Sequence, residues 1–207
     1  MICLFGGTFD PVHLGHLHAA AAVCRSIPVA EVRLVLSARP SHRDPTSAST
    51  ADRWAMLCLA CADDPRLIPD DREMLRDGPS YTVDTLRAVR AEAPSASIVW
   101  VLGSDAFALL PTWHRWREVL TLANLVVLAR PGAFPDLDPD MQRLLETHRV
   151  ESLAGCHEGG ILVLQDAMEE IAAADVRRRL AAGRSVRQLL PEPVANYIRT
   201  HHLYGSS

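Results

Sequence analysis

Two histidines three residues apart, His13 and His16, close the stretch F-G-G-T-F-D-P-V-H-L-G-H at 5–16. Each ring offers an N–H to an anion, which is what charge developing on phosphate oxygens requires. Gly6 and Gly7 precede them and allow positive φ, so backbone amides can approach an anion with no side chain between. Thr8 adds a hydroxyl, and Asp10-Pro11 turns the chain. A helix beginning after that turn aims its unpaired amides and partial positive charge at the same point. Such a helix end disfavours protonation of each imidazole by roughly 0.3–1 kcal/mol, while a bound polyphosphate pulls the other way.

Taken singly these signals are weak. Gly-Gly is common in turns, and two histidines three apart also suit a metal ion or a helix cap. The spacing is neither the G-x-G-x-x-G of dinucleotide-binding dehydrogenases nor a P-loop, which needs G-K-[ST]. The twelve-residue stretch as a whole is far more specific than any of its parts, and it points to a phosphate-binding loop. Cys58 and Cys61 form a C-x-x-C pair, but it lies in an alanine- and leucine-rich helical stretch without a second pair, so buried, inert thiols are expected.

The elements that must position this loop follow from hydrophobic pattern. ICLF (2–5) reads as a buried strand stopped by Gly6-Gly7, 16–25 as an alanine-rich helix, and VRLVLS (32–37) as a second strand. This opening βαβ unit implies a parallel sheet. After the polar loop at 38–49, Ser49 or Thr50 can cap a helix at 51–62. A short strand at 66–69, a helix at 81–93 and a strand at 97–103 follow, the last apolar on both faces. Short helices are expected at 107–110 and 116–123, strands at 124–130 and 161–165, a surface helix at 139–148, and helices at about 175–183 and 191–202. The expectation is one α/β domain over 1–207, a Rossmann-like, doubly wound parallel sheet with a helical C-terminal portion at about 172–204. Strand order comes from the class alone.

Composition is that of a soluble globular protein, with 48% hydrophobic and 22% charged residues in 207. A net charge of -4 disfavours a general nucleic-acid binder. All 21 basic residues are arginine, so no lysine Schiff base can form and cationic phosphate contacts fall to arginine and histidine. Five scattered cysteines argue against a disulfide framework. No run spans a bilayer and no signal-peptide pattern opens the chain, so a cytoplasmic protein without membrane partners is expected. The sequence leaves a homo-oligomer open.

At His13, Gly15 and His16 the chain resembles the nucleotidyltransferase superfamily with an H-x-G-H motif. GPSYTVDTL (78–86), GSDAFALLPTW (103–113), VVLARPG (126–132) and the ending RRRLAAGRSVRQLLPEPVANYI followed by LY narrow the resemblance to bacterial nicotinate-nucleotide adenylyltransferases, over nearly the whole chain. The resemblance implies ATP and nicotinate mononucleotide as substrates and deamido-NAD and pyrophosphate as products. It also implies Mg2+ carried on the ATP phosphates, with no dedicated metal ligands in the protein. It assigns His16, His13, Arg43 and Arg177 to the transfer, and Gly6, Gly7, Thr8, Phe9, Gly103, Ser104, Asp105 and Ile171 to ATP. Trp113 would stack on the pyridine ring, with the backbone near Thr82 and His114 holding its carboxylate and Tyr81 and His42 beside them. Asp105 would accept from a ribose hydroxyl, and Asp105 or Ser104 could cap the helix there. Trp54, Trp100 and Trp116 are expected in the core. One departure stands out: the family's I-S-[AS]-T segment is Ile171-Ala172-Ala173-Ala174 here, without its two hydroxyls.

Overall fold

A computed structural model describes residues 1–40, 45–129, 136–165 and 171–206. Six strands form one parallel sheet: β1 (Ile2–Gly7), β2 (Val32–Leu36), β3 (Leu67–Asp70), β4 (Ile98–Gly103), β5 (Asn124–Leu128) and β6 (Ile161–Leu164). Their order is β3-β2-β1-β4-β5-β6. The chain reverses its direction of winding between β1 and β4, and in open α/β sheets ligands bind beyond the carboxyl ends of the strands at that point. The loop at 6–16 leaves β1 there.

Alternation along each strand explains why both faces are covered. Cys3 and Phe5 of β1, Val99 and Val101 of β4, and Val126 and Leu128 of β5 join one core with Val12 and Ala19. That core is closed by Met56 and Leu57 of α2 (Thr50–Cys61), Val176 of α7 (Ala173–Ala181), and Val194 and Ile198 of α8 (Glu192–Thr200). The intervening residues Leu4, Ile98, Trp100, Leu125 and Val127 form a second core. It is covered by Leu86 and Val89 of α3 (Thr82–Glu92), Val119 of α5 (Trp116–Leu122) and Met141 of α6 (Pro139–His148). A fully buried leucine, isoleucine or valine stabilises by about 1.5–3 kcal/mol, so near-continuous apolar strands hold a two-sided sheet where an alternating strand would not.

Most expected elements form within two residues of their expected bounds, and three differences bear on the site. β1 does not stop before the glycines: Gly6 pairs with Val35 and Gly7 with Leu36, so the ladder carries them as strand. The first helix, α1 (Leu14–Ser26), begins two residues before His16, which makes His13 its N-cap. Between β4 and α5 the chain forms α4 (Ser104–Ala108) and a 3-10 turn at Leu110–Thr112, rather than one helix at 107–110. No helix among the described residues is long and apolar enough to cross a membrane.

Candidate active site

The two glycines are needed for close approach, not for positive φ; the positive φ in this loop belongs to Phe9, at 48°. A Cβ on Gly6 would stand 2.3 Å from Cζ2 of Trp100, and one on Gly7 would stand 2.7 Å from the Phe9 ring. The space expected to stay clear above the glycines is therefore filled by aromatic rings. Phe9, expected at ATP, is 2% exposed, and its ring edge meets the His16 ring at 5.0 Å between centroids. It thus backs His16 from within the core.

His13 and His16 are stacked, with centroids 3.6 Å apart and planes 25° apart. The His13 amide donates to Nδ1 of His16 across 3.2 Å, which leaves the opposite nitrogen of that ring pointing away from the helix start. His13 is 5% exposed, and burial pushes its pKa down to about 4. Burial, rather than the helix end invoked from sequence, keeps this ring neutral. Its Nδ1 is buried and has no hydrogen-bond partner among the described residues. Gly15 makes this packing possible: a Cβ there would lie 3.1 Å from Nδ1 of His13 and 3.3 Å from Cβ of Ile171.

A buried arginine locks the loop to its neighbour. Arg53 of α2 has no exposed surface, and it donates to the carbonyls of Thr8 (2.8 Å), Ser37 (2.7 Å) and Ala38 (2.9 Å) and to the Thr50 hydroxyl (3.1 Å). Ser49, not Thr50, caps α2, accepting from the Asp52 amide at 3.1 Å. The Asp10 carboxylate accepts from the amides of Ser47 and Ala48, and its carbonyl accepts from Nη1 of Arg177 at 2.7 Å. Arg178 and Arg179, the neighbours of Arg177, are exposed and paired with Asp175.

A cavity of about 210 Å³ is lined by Gly6, Gly7 and Thr8 of the loop together with Tyr81, Thr82, Trp113 and His114. Tyr81 and His114 stack at 4.3 Å between centroids, bringing the start of α3 and the segment before α5 to one edge. The first-turn amides of α3 begin at Thr82, where the helix end favours an anion. Trp113 is half-buried, packed on the second core while lining the cavity. Trp100, expected only in the core, also lines it.

The cytidylyltransferase-like family model matches residues 4–179. A Pseudomonas fluorescens protein named "probable nicotinate-nucleotide adenylyltransferase" is 46% identical over 206 residues, covering 98% of this chain and 96% of its own. A Pseudomonas aeruginosa protein of the same name is 44% identical over 207 residues, with the same coverage. This chain belongs to the nicotinate-nucleotide adenylyltransferase family. The fold agrees with the solved structure of Plasmodium falciparum nicotinic acid mononucleotide adenylyltransferase complexed with NaAD, at a TM-score of 0.78, 15% identity and coverage of 100% of this chain and 98% of that one.

Against the site expected for this adenylyltransferase family, the structure brings Gly6, Gly7, Thr8, Tyr81, Thr82, Trp113 and His114 to one cavity. His13, His16 and Arg177 are not among its lining residues; the two histidines stack where the loop enters α1, and Arg177 is held by the Asp10 carbonyl of the same loop. Gly103 ends β4 and is the N-cap of α4, so neither Ser104 nor Asp105 caps that helix. Ser104 is buried and Asp105 exposed. Ile171 is half-buried against the first core, close to Gly15. His42 and Arg43 lie outside the described residues. Ala172 is the N-cap of α7 and provides no side-chain cap. Cys61 is buried, its thiol pushed up to about 12 by burial first and by Cys58 second, as suits an inert core thiol.

Sequence reading missed Asp10, Arg53 and Glu73. Arg53 was detectable: in α2 it shares the face of Met56, Leu57 and Ala60, and a charge on an apolar face signals a buried partner. Glu73 is 5% exposed, lines the cavity and accepts from the Thr85 hydroxyl at 2.5 Å, with no local pattern that marks it.

Proposed function

We propose that this chain transfers the adenylyl group of ATP to the 5′-phosphate of nicotinate mononucleotide, giving deamido-NAD and pyrophosphate, a step of NAD biosynthesis. The observation that carries this reading is the adjacency of two differently built stations on one loop. One is an aromatic cavity with a helix N-terminus, suited to a flat anionic ring; the other is a histidine pair beside an arginine, suited to a polyphosphate.

The acceptor phosphate is already an anion and needs no protein nucleophile. Its oxygen attacks the α-phosphorus in line while the bond to the β-bridging oxygen breaks, and pyrophosphate leaves with that electron pair. The residues align two mutually repelling anions and neutralise the charge that develops. His16, held by the His13 amide and by Phe9, donates to the α-phosphate in this reading. His13, neutral at physiological pH, donates through its other ring nitrogen, and Arg177 and Arg43 add fixed positive charge. Magnesium, which would be held by the ATP phosphates, would supply further neutralisation there. Trp113 stacks on the pyridine ring, and the amides at Thr82 and His114 hold its carboxylate. Asp105, Ser104 and Gly103 take the nucleoside at the carboxyl end of β4, with Ile171 beside the loop. Five free thiols support a reducing compartment, and the cytoplasm is the proposed one.

Pyrophosphate release from ATP, measured side by side with nicotinate mononucleotide, nicotinamide mononucleotide and phosphopantetheine, tests the reading. Fastest release with the acid mononucleotide is expected. Silence with all three would mark a nucleotide-binding protein without this activity.

A further inference from the structure

The C-terminal segment reaches back to the phosphate loop through one side chain. The hydroxyl of Tyr204, in the 3-10 turn at Leu203–Gly205, donates to Oδ1 of Asp10 across 2.7 Å. The same Asp10 Oδ1 also accepts from the Ala48 amide at 3.1 Å, and its Oδ2 accepts from the Ser47 amide at 2.7 Å. The Asp10 carbonyl, meanwhile, carries Arg177. One residue of the loop thus ties together the segment leading into α2, the guanidinium of α7 and the chain terminus.

This junction has a physical logic. Asp10 is 6% exposed and lies in a loop that otherwise suits an anion, so a carboxylate turned outward there would oppose phosphate. Three donors turn it inward instead. The phenol is driven to stay protonated, first by burial and then by its bond to Asp10, so it remains a donor across the working pH range. Its backbone sits at φ 58°, a conformation that side chains other than glycine rarely adopt. A strained residue of this kind persists where its surroundings hold it. The turn abuts α7 directly: a Cβ on Gly205 would stand 3.8 Å from Cα of Ala181, in the helix that bears Arg177.

We propose that Tyr204 is a positioning residue for adenylyl transfer, fixing Asp10 and through it the seat of Arg177. It touches no substrate. The inference rests on the adenylyl-transfer reading above.

A kinetic cycle with Tyr204→Phe, Arg177→Ala and the double variant tests it, with thermal melting recorded for each. Phenylalanine keeps the ring and removes only the hydroxyl. The expected result is a loss of about tenfold in kcat, equivalent to about 1.4 kcal/mol, with the acceptor KM unchanged and the variant still folded at the assay temperature. In the Arg177→Ala background the same change should cost less than about twofold, because the residue it positions is gone. An unchanged kcat, or an equal loss in both backgrounds, overturns the role of Tyr204. If Tyr204→Phe melts below the assay temperature, the cycle is run with Asp10→Asn in its place, and the same two outcomes decide. A wild-type chain that releases no pyrophosphate overturns the adenylyl-transfer reading itself.

Discussion

Gly6 and Trp100 occupy a single space: the indole of β4 lies where a side chain on Gly6 would be, 2.3 Å from its Cβ. The indole is 4% exposed and lines the cavity beside Gly6. Gly6→Ala must therefore displace the indole or the strand. Overpacking of this kind costs about 1–3 kcal/mol, and the acceptor KM should rise because the cavity wall moves. Trp100→Phe in the same chain removes the clashing atoms and should recover part of the loss in chemical denaturation. A Gly6→Ala variant as stable as wild type would show that the two residues do not compete.

Ala172→Ser should stabilise the protein. Ala172 is the N-cap of α7, its carbonyl already accepts from the amides of Asp175 and Val176, and it lacks a capping oxygen. A serine there can accept from an orphan amide, a gain of about 1 kcal/mol seen as a higher melting temperature. The same change restores one hydroxyl of the segment I-S-[AS]-T, which can also donate to phosphate, so a lower KM for ATP is expected with it. An unchanged melting temperature would mean that the alanine costs nothing.

His13 imposes a pH dependence of defined sign. Its folded pKa of about 4 lies below the ordinary 6.5, because burial penalises the charged ring. Between those values the unfolded chain binds a proton that the folded chain does not, so stability rises with pH across the window and is fully present above it. The difference amounts to roughly 3 kcal/mol. Urea midpoints of wild type and His13→Asn, compared at pH 4 and pH 7, should diverge by that order, wild type gaining. Parallel pH profiles would show that the ring titrates normally.

Trp113→Ala should raise the KM for nicotinate mononucleotide by about tenfold while leaving the KM for ATP close to wild type, since ring stacking is worth about 1–3 kcal/mol. Equal rises in both would place Trp113 in general packing.

The sheet was legible because parallel strands buried on both faces read as unbroken apolar runs: Val99 to Leu102 and Leu125 to Leu128 leave few alternatives. Strand order was not, because nothing local in β1 says that β2 and β4 flank it. Gly6 and Gly7 were legible as necessary, yet for a reason their own positions do not hold: the ring that excludes a side chain comes from Trp100, far along the chain. His13 and His16 were visible as a pair, whereas the neutrality of His13 comes from tertiary burial. Tyr204 and Asp10 meet only through folding, so the final L-Y was seen as a likeness to relatives without a mechanism.

The most direct test of adenylyl transfer is to follow the label of ATP marked at the α-phosphorus in the presence of nicotinate mononucleotide, with wild type and His16→Ala. The label should appear in deamido-NAD, with unlabelled pyrophosphate released, and His16→Ala should slow its appearance by about 10²-fold or more while ATP binding changes little. Label that stays in ATP, or passes into the dinucleotide equally fast without His16, would contradict the account.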